Sequence, residues 1–250
     1  MSLDNFLERL DNELLNHSVI TNNKYCSWFR HTPDLILEDV RQFTQQFSVF
    51  SNQFIIAQLH KIINAVDLEE ARSGKEVLAN EIGVAFKDGS VDEGKYRFTS
   101  AHFEWLVSFA KPLGLSFNDI GKRRHGSPST LFYCDELIRI YGSEDFNVSA
   151  GASFAVENWA AAGFWKDLIA GLENFRANNN LKLPLSFFTW HDKLEDQHAE
   201  HTREEMIILY NEHNLNEDVF IKAGNEMLDG VETFWVGLDQ ERITRAHYGH

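Results

Sequence analysis

Along most of the chain apolar residues recur three and four positions apart, the period of a helix with one buried face. Leu3, Phe6, Leu7, Leu10 and Leu14 mark a first helix ending near Asn16-His17. Thr32-Pro33-Asp34 combines an N-cap residue, a first-turn proline and an acid suited to the helix dipole. It predicts the start of a second helix, with apolar positions Leu35, Leu37, Val40, Phe43, Phe47 and Phe50. Phe54, Ile55, Leu59, Ile62 and Ile63 carry the pattern into a further helix, with a kink expected near Ser51, where polar residues interrupt the stripe. Asp67 to Val84 reads as helix, and Lys87 to Gly94 as turn chemistry in an irregular insertion.

Thr99-Ser100 is placed to cap a helix that carries His102, Leu106, Phe109 and Ala110 and stops at Pro112-Leu113-Gly114. After the basic loop Lys122-Arg123-Arg124 come a short helix from Leu131 to Tyr141 and a long small-residue-rich one from about Ser149 to Asn178. Two more run from about Leu185 to His213 and from about Glu217 to Arg245. No segment alternates with a period of two between turn signals, so no strand is predicted. The expected architecture is an all-α bundle of about eight helices, forming a single domain over residues 1–250.

Composition narrows the function classes. The 250 residues carry 38 acids against 23 Lys and Arg, a formal net charge of −15. That balance argues against nucleic acid or an anionic membrane as the main partner. Two cysteines form no metal motif and no disulfide framework, and the N-terminus lacks the basic and apolar regions of a secretion signal. The expectation is a soluble cytoplasmic protein without a membrane span. The expected partners are a small-molecule substrate and, as an open option, a second copy of the chain in a homodimer.

Candidate chemistry concentrates in the helix that follows Phe187, Phe188 and Trp190. At about 100° per residue, His191, Glu195 and His198 fall within roughly 60° of one another and share a face. Imidazole and carboxylate are the ligands of iron, zinc and manganese. Glu195-x-x-His198 is the only Glu-x-x-His in the chain; a ferritin-like bundle uses two. His201 points about 80° away from His191 and drops out of the set. A lone histidine on an amphipathic helix is ordinarily a surface or hydrogen-bonded core residue; two with a carboxylate on one face beside an aromatic run ask for more. Elsewhere three residues stand out from their surroundings. Glu157 interrupts the apolar run Ala152 to Ala162, where a lone buried carboxylate costs several kcal/mol unless compensated. His102 lies beside Phe103, Trp105 and Leu106, and Glu81 closes a helix before Ile82-Gly83.

In chain order these pieces are Asn80-Glu81-x-Gly83, His102-x-x-Trp105-Leu106 leading to Leu113-Gly114-Leu115, Glu157-Asn158, and His191-x3-Glu195-x2-His198-Ala199-Glu200-His201, with Gln45-Gln46-Phe47-Ser48-x-Phe50 upstream. The ordered set resembles the heme-oxygenase-like di-iron oxidases and oxygenases, among them relatives of the chlamydial protein associating with death domains, over roughly Val40 to His213. The resemblance implies a heme-oxygenase-like (TenA/PqqC-like) helical bundle. It implies metal ligands at Glu81, His102, Glu157, His191, Glu195 and His198, holding two iron ions (Fe). It implies dioxygen as cosubstrate in the oxidation of a small organic molecule, amino-acid-like or fatty-acid-like. Asp192 and Glu200 are placed to receive imidazole N–H groups around the ligands. Glu195 stands where that family has aspartate, and the Lys87–Gly94 insertion separates Glu81 from His102.

Rival readings remain. A thiaminase-like or cofactor-maturation enzyme of the same fold would dispense with metal and want a cysteine nucleophile, for which Cys134 beside Asp135 is the candidate. A heme site would want an axial histidine near the end of the first helix, where His17 lies, although no glycine-rich distal helix is evident. A non-catalytic helical interaction protein is the third. Lys122, Arg123 and Arg124 are candidates for attracting a substrate carboxylate, with a solvated basic loop the plainer reading.

Overall fold

The computed structural model describes residues 2–87, 90–96 and 101–248, and of residues 84–87, 90–96, 194–202, 205 and 248 the backbone alone. Among the described residues there are eleven α-helices and one two-stranded hairpin. The first three helices, α1 (Leu3–Arg9), α2 (Ser18–Thr21) and α3 (Lys24–His31), are short and locally capped: Ser2, His17 and Asn23 accept from backbone N–H groups of α1, α2 and α3. The N-cap expected at Thr32 fails for a specific reason. The Thr32 hydroxyl already donates to the Trp28 carbonyl at 2.7 Å, closing α3, and the next helix begins later.

That helix, α4 (Leu37–Ile63), runs 27 residues uninterrupted through Ser51, so the two helices expected over this stretch are one. Val40, Phe43, Phe47 and Phe50 are buried along it, and Ser48, whose hydroxyl donates to the Gln45 carbonyl and accepts from Gly121 N–H, binds a loop rather than breaking the helix. α5 (Leu68–Glu81) packs back along α4, with Asp67 at its N-cap accepting from Glu70 N–H at 2.9 Å. Where an irregular insertion and no strand were expected, β1 (Val84–Lys87) and β2 (Ser90–Tyr96) pair antiparallel, in register Val84 with Tyr96 and Lys87 with Ser90 and with a bulge between Ala85 and Lys87. Asp88-Gly89 is a residue pair favoured in two-residue hairpin loops, while Asp92, Glu93 and Gly94 erase the alternation that would betray a strand. The expected cap at Thr99-Ser100 lies outside the described residues.

α6 (His102–Ala110) ends in a 3₁₀ turn closed by Gly114 at φ +77°, as the Pro112-Leu113-Gly114 stop predicts. α7 (Pro128–Glu136) widens into a π-helical turn over Leu137–Tyr141. The single helix expected over 149–178 is two: α8 (Phe146–Ala160) and α9 (Phe164–Asn178), separated at Gly163, whose φ of +86° only glycine adopts without strain. α10 (Ser186–Glu212) and α11 (Glu217–Tyr248) complete the chain. The surplus over eight helices comes from this break and from α2 and α3. α11 lies against α8 and α7, α9 against α3, and α10 against α6, α8 and α9. One continuous apolar cluster fills the space between them, its centre the interlocked rings of Phe43, Phe47, Trp165, Phe187, Phe188 and Trp235. No helix among the described residues is long and apolar enough to cross a membrane.

Candidate metal centre

A cavity of about 390 Å³ lies inside the bundle, within the range of small-molecule sites. One face of α4 lines it with Phe47, Phe50, Ser51, Phe54, Gln58 and Lys61. Glu81, His102, Glu157 and His191, four of the six residues singled out as ligands, line the same cavity. They come from α5, α6, α8 and α10, so only the tertiary fold assembles them. Glu195, His198 and Glu200 sit on the α10 backbone, and their side chains lie outside the described residues.

Glu81, His102 and His191 come closest, each offering a donor atom within 4.8 Å of the others. His102 is 3% exposed and fixed by aromatic packing: its ring lies 4.3 Å from Trp190, 5.3 Å from Trp105 and 4.8 Å from His191, centroid to centroid. Its Nδ1 approaches Glu81 Oε1 to 2.9 Å, yet the approach lacks hydrogen-bond geometry, and Nδ1 is a buried nitrogen without a hydrogen-bond partner among the described residues. Buried polar atoms of this kind are uncommon and expensive, and a nitrogen and a carboxylate oxygen this close suit neighbouring positions on one cation. His191 is prepared differently. Its Nδ1 lies 2.7 Å from the Phe187 carbonyl one turn earlier; a carbonyl only accepts, so Nδ1 donates and Nε2 is the ring nitrogen left to meet a metal, the arrangement typical of metal-bound imidazole. The partner of that N–H is a backbone carbonyl and not Asp192, which is half-buried on the next position. Trp165 stacks on the His191 ring at 4.8 Å and 23°. Glu157 lines the cavity outside this close group.

The rival candidates fare worse. Cys134 is buried, does not line the cavity, and has its thiol pushed up to about 12 by burial foremost, with Asp135 adding to the effect and Arg123 opposing it. A thiol so protonated is a poor nucleophile. His17 Nδ1 accepts from Val19 N–H, and its Nε2 faces Asp229 Oδ1 at 3.2 Å, so both ring nitrogens are engaged away from any heme. In the basic loop Arg123 pairs with Asp135 at 2.7 Å, Arg124 donates to the Asn118 carbonyl, and Lys122 lies 3.8 Å from the Phe117 ring centroid; none of the three lines the cavity.

Several lining residues escaped the sequence reading. Tyr141 reaches the cavity from the π-helical turn, its hydroxyl donating to Gln58 Oε1 at 2.7 Å. Ser153 stands one turn before Glu157 on α8, and Lys61 occupies the last turn of α4. The signal for Lys61 was available: it stands seven residues from Phe54, in phase with the buried stripe, where a cation is out of place.

Three solved structures share this architecture over nearly their whole length. A domain of unknown function with a heme oxygenase-like fold from Shewanella denitrificans superposes with a TM-score of 0.68 at 14% identity, covering 100% of this chain and 97% of that one. A TenA homolog from Pseudomonas syringae gives 0.66 at 13% identity over 94% and 93% of the two chains. A CADD-like protein of unknown function from Nostoc punctiforme gives 0.64 at 16% identity over 96% and 94%. No family model matches the sequence, and no curated protein matches it. The fold is therefore all-α and heme oxygenase-like, as the sequence resemblance implied.

Proposed function

We propose that this chain is a non-heme di-iron enzyme that uses dioxygen to oxidise a small organic molecule inside the cavity. One observation carries the reading: a carboxylate and two imidazoles from three separate helices meet at the wall of an aromatic-lined cavity, one imidazole nitrogen buried without a hydrogen bond and the other imidazole donating through Nδ1, which leaves Nε2 to meet a metal. The donor set fits iron, whose oxygen-activating sites combine imidazole with carboxylate and leave positions open. Glu81, His102 and His191 would hold one ion. Glu157 from the facing helix, with Glu195 and His198 one and two turns along α10, would serve a second. Bound iron would supply the one-electron chemistry that lets dioxygen react with an organic substrate.

The protein's own contribution is positioning and exclusion. The Phe187 carbonyl holds the His191 proton on Nδ1, and Trp105, Trp165 and Trp190 fix the two imidazole planes. The rings of Phe47, Phe50, Phe54, Trp159 and Phe187 supply an apolar share of the cavity wall against which an organic molecule can pack. Anaerobic titration with Fe(II) followed by air tests the proposal: about two equivalents of tightly held iron and a transient visible absorption band are expected from the wild type, and neither from His102→Ala. Saturation with iron and no optical change on admitting air would overturn the redox assignment.

A further inference from the structure

The chain has six tryptophans, and all six belong to one network of touching rings that passes through the imidazoles of the candidate centre. On one side of that centre Trp190 lies 5.1 Å from His191 and 4.3 Å from His102, and Trp105 lies 5.7 Å from Trp190. On the other side Trp165 stacks on His191, 4.8 Å away at 23°. From Trp165 the rings continue outward: Phe164 at 4.5 Å, Trp235 at 5.7 Å from Phe164, Tyr25 at 5.6 Å from Trp235, and Trp28 at 5.3 Å from Tyr25. Trp159, stacked on Phe164 at 4.7 Å and 10° and lying 6.5 Å from Trp235, offers a second way past the same point. Each of these separations is ring contact. Trp28 is where the series reaches solvent. It is half-buried on α3, under the Arg242 guanidinium at 4.1 Å, whose charge Asp239 compensates at 2.7 Å.

Packing alone would be served by phenylalanine, of which the chain has 20. Indole differs in giving up one electron readily. Its ring N–H also takes an acceptor as a rule when buried, and here the fold withholds one. Trp159 and Trp235 are 4% and 2% exposed, and the Nε1 of each has no hydrogen-bond partner among the described residues. Burial of a donor in that state is costly and does nothing for packing. It matters for redox chemistry. An oxidised indole is acidic, and once its N–H proton leaves, the electron hole is trapped on that ring. With no acceptor the proton stays, the hole keeps its driving force, and the next ring in contact fills it. Trp28, at the surface, can release its proton to water and be reduced by a solute. Tunnelling falls off exponentially with distance, so short steps between touching rings outpace one long jump through the core.

We propose that the series from Trp165 through Trp235 to Trp28 is a conduit for single electrons, running from a small one-electron reductant in solution, of the ascorbate class, to the centre at Glu81, His102 and His191. In each transit the reductant gives one electron to Trp28 and a proton to water, and the oxidised centre takes up one electron. The indoles between are oxidised and reduced in turn and end unchanged. The use of the conduit, resetting an oxidising centre that has no substrate, rests on the metal reading; conduction itself needs no metal. Metal-free protein therefore tests it alone. Glu104→Cys, exposed beside Trp105 on α6, provides an attachment point for a ruthenium photo-oxidant, both native cysteines being buried. α6 packs on α4 and α10, and α3 on α9 and α11, so label and Trp28 stand on separate elements. A hole made at Trp105 has to cross Trp190 and the site imidazoles to reach Trp165. The labelled protein is illuminated in aerated buffer with a cobalt(III) electron acceptor, and peptide mass spectrometry locates the tryptophans whose radicals have captured dioxygen. Oxygenated Trp28 is expected, with most of it lost in Trp235→Phe and in Trp165→Phe, which keep a ring in place; either serves where the other does not fold. Tyr133→Phe, whose ring meets Phe50 and Phe234 off the route, should lose none. Trp28 left unoxidised in the labelled parent, oxidised equally in the two tryptophan variants, or lost equally in Tyr133→Phe would each overturn the conduit. None of these outcomes depends on iron, and iron titration tests the metal reading separately.

Discussion

Cys134 sits between Tyr133 and an acidic pair, Asp135-Glu136, a neighbourhood that on paper suits a nucleophile, but the fold buries its thiol between α7 and its neighbours. Because burial raises the folded-state value from 9.0 to about 12, the protonated thiol stabilises the fold in full below pH 9, and that contribution is lost as pH rises from about 9 toward 12. Cys26, Tyr25 and Tyr133, all buried and all pushed upward chiefly by desolvation, act in the same sense. Urea unfolding should therefore show a midpoint that falls between about pH 9 and pH 11, and a thiol reagent at neutral pH should label neither cysteine until the chain unfolds. Rapid labelling of the native protein would contradict this. The same environment-dependence limits what a sequence shows at this scale. His102 and Glu157 were legible because each disturbs an apolar run. Lys61 was equally out of place on its buried stripe, but a lysine near a helix C-terminus has an ordinary explanation, favourable interaction with the dipole, that hid it. The approach of His102 Nδ1 to Glu81 and the Nδ1–H bond from His191 to the Phe187 carbonyl depend on atoms from other turns and helices, and no local pattern encodes them.

Among the elements, α8 and α11 pack backbone to backbone at Gly151 and Gly224. A Cβ placed on Gly151 would lie 2.2 Å from the Phe220 carbonyl oxygen, and one on Gly224 would lie 3.1 Å from the Gly151 carbonyl oxygen. Backbone cannot swing aside as a side chain does, so Gly151→Ala must separate the two helices, at a cost on the order of 2 kcal/mol. Thermal melting should fall by about 4–8 °C. Gly230→Ala, also on α11, is the contrast. Its nearest neighbour would be Tyr133 Cδ2 at an ordinary 3.4 Å, and removing a mid-helix glycine should leave stability unchanged or raise it by about 0.5–1 kcal/mol. Equal losses in both variants would show that helix spacing is not what Gly151 sets. Helix ends were legible where one residue type has one reason to be there: Asp67 at the start of α5, Gly114 after α6, Asn180 in a left-handed conformation after α9. They were illegible where the decision was tertiary. The small-residue run from Ser149 onward reads as one helix because Gly163 is permissive, and only its φ of +86° shows the turn between α8 and α9.

For the molecule as a whole, binding and folding are linked if the metal centre is formed by the packed bundle alone. Glu81, His102, Glu157 and His191 are brought together by four helices, so an unfolded chain has no comparable site. A divalent ion at about one hundred times its dissociation constant should add about 2.7 kcal/mol and raise the melting temperature by about 5–10 °C, an increase reversed by chelator and missing in His102→Ala. A melting temperature indifferent to Fe(II) and Mn(II) would count against the centre. At this scale the sequence was most informative about what could be matched in order along the chain: all-α class and heme oxygenase-like fold both hold. It was least informative about depth and direction, because a cavity is the space left by packing and belongs to no one segment. α4 supplies the last point. Uninterrupted through Ser51, it lines the chamber from Phe47 to Lys61, so a single element sets the length of the cavity, and a break introduced there would change the size of molecule that fits while leaving the donors on α5, α6, α8 and α10 in place.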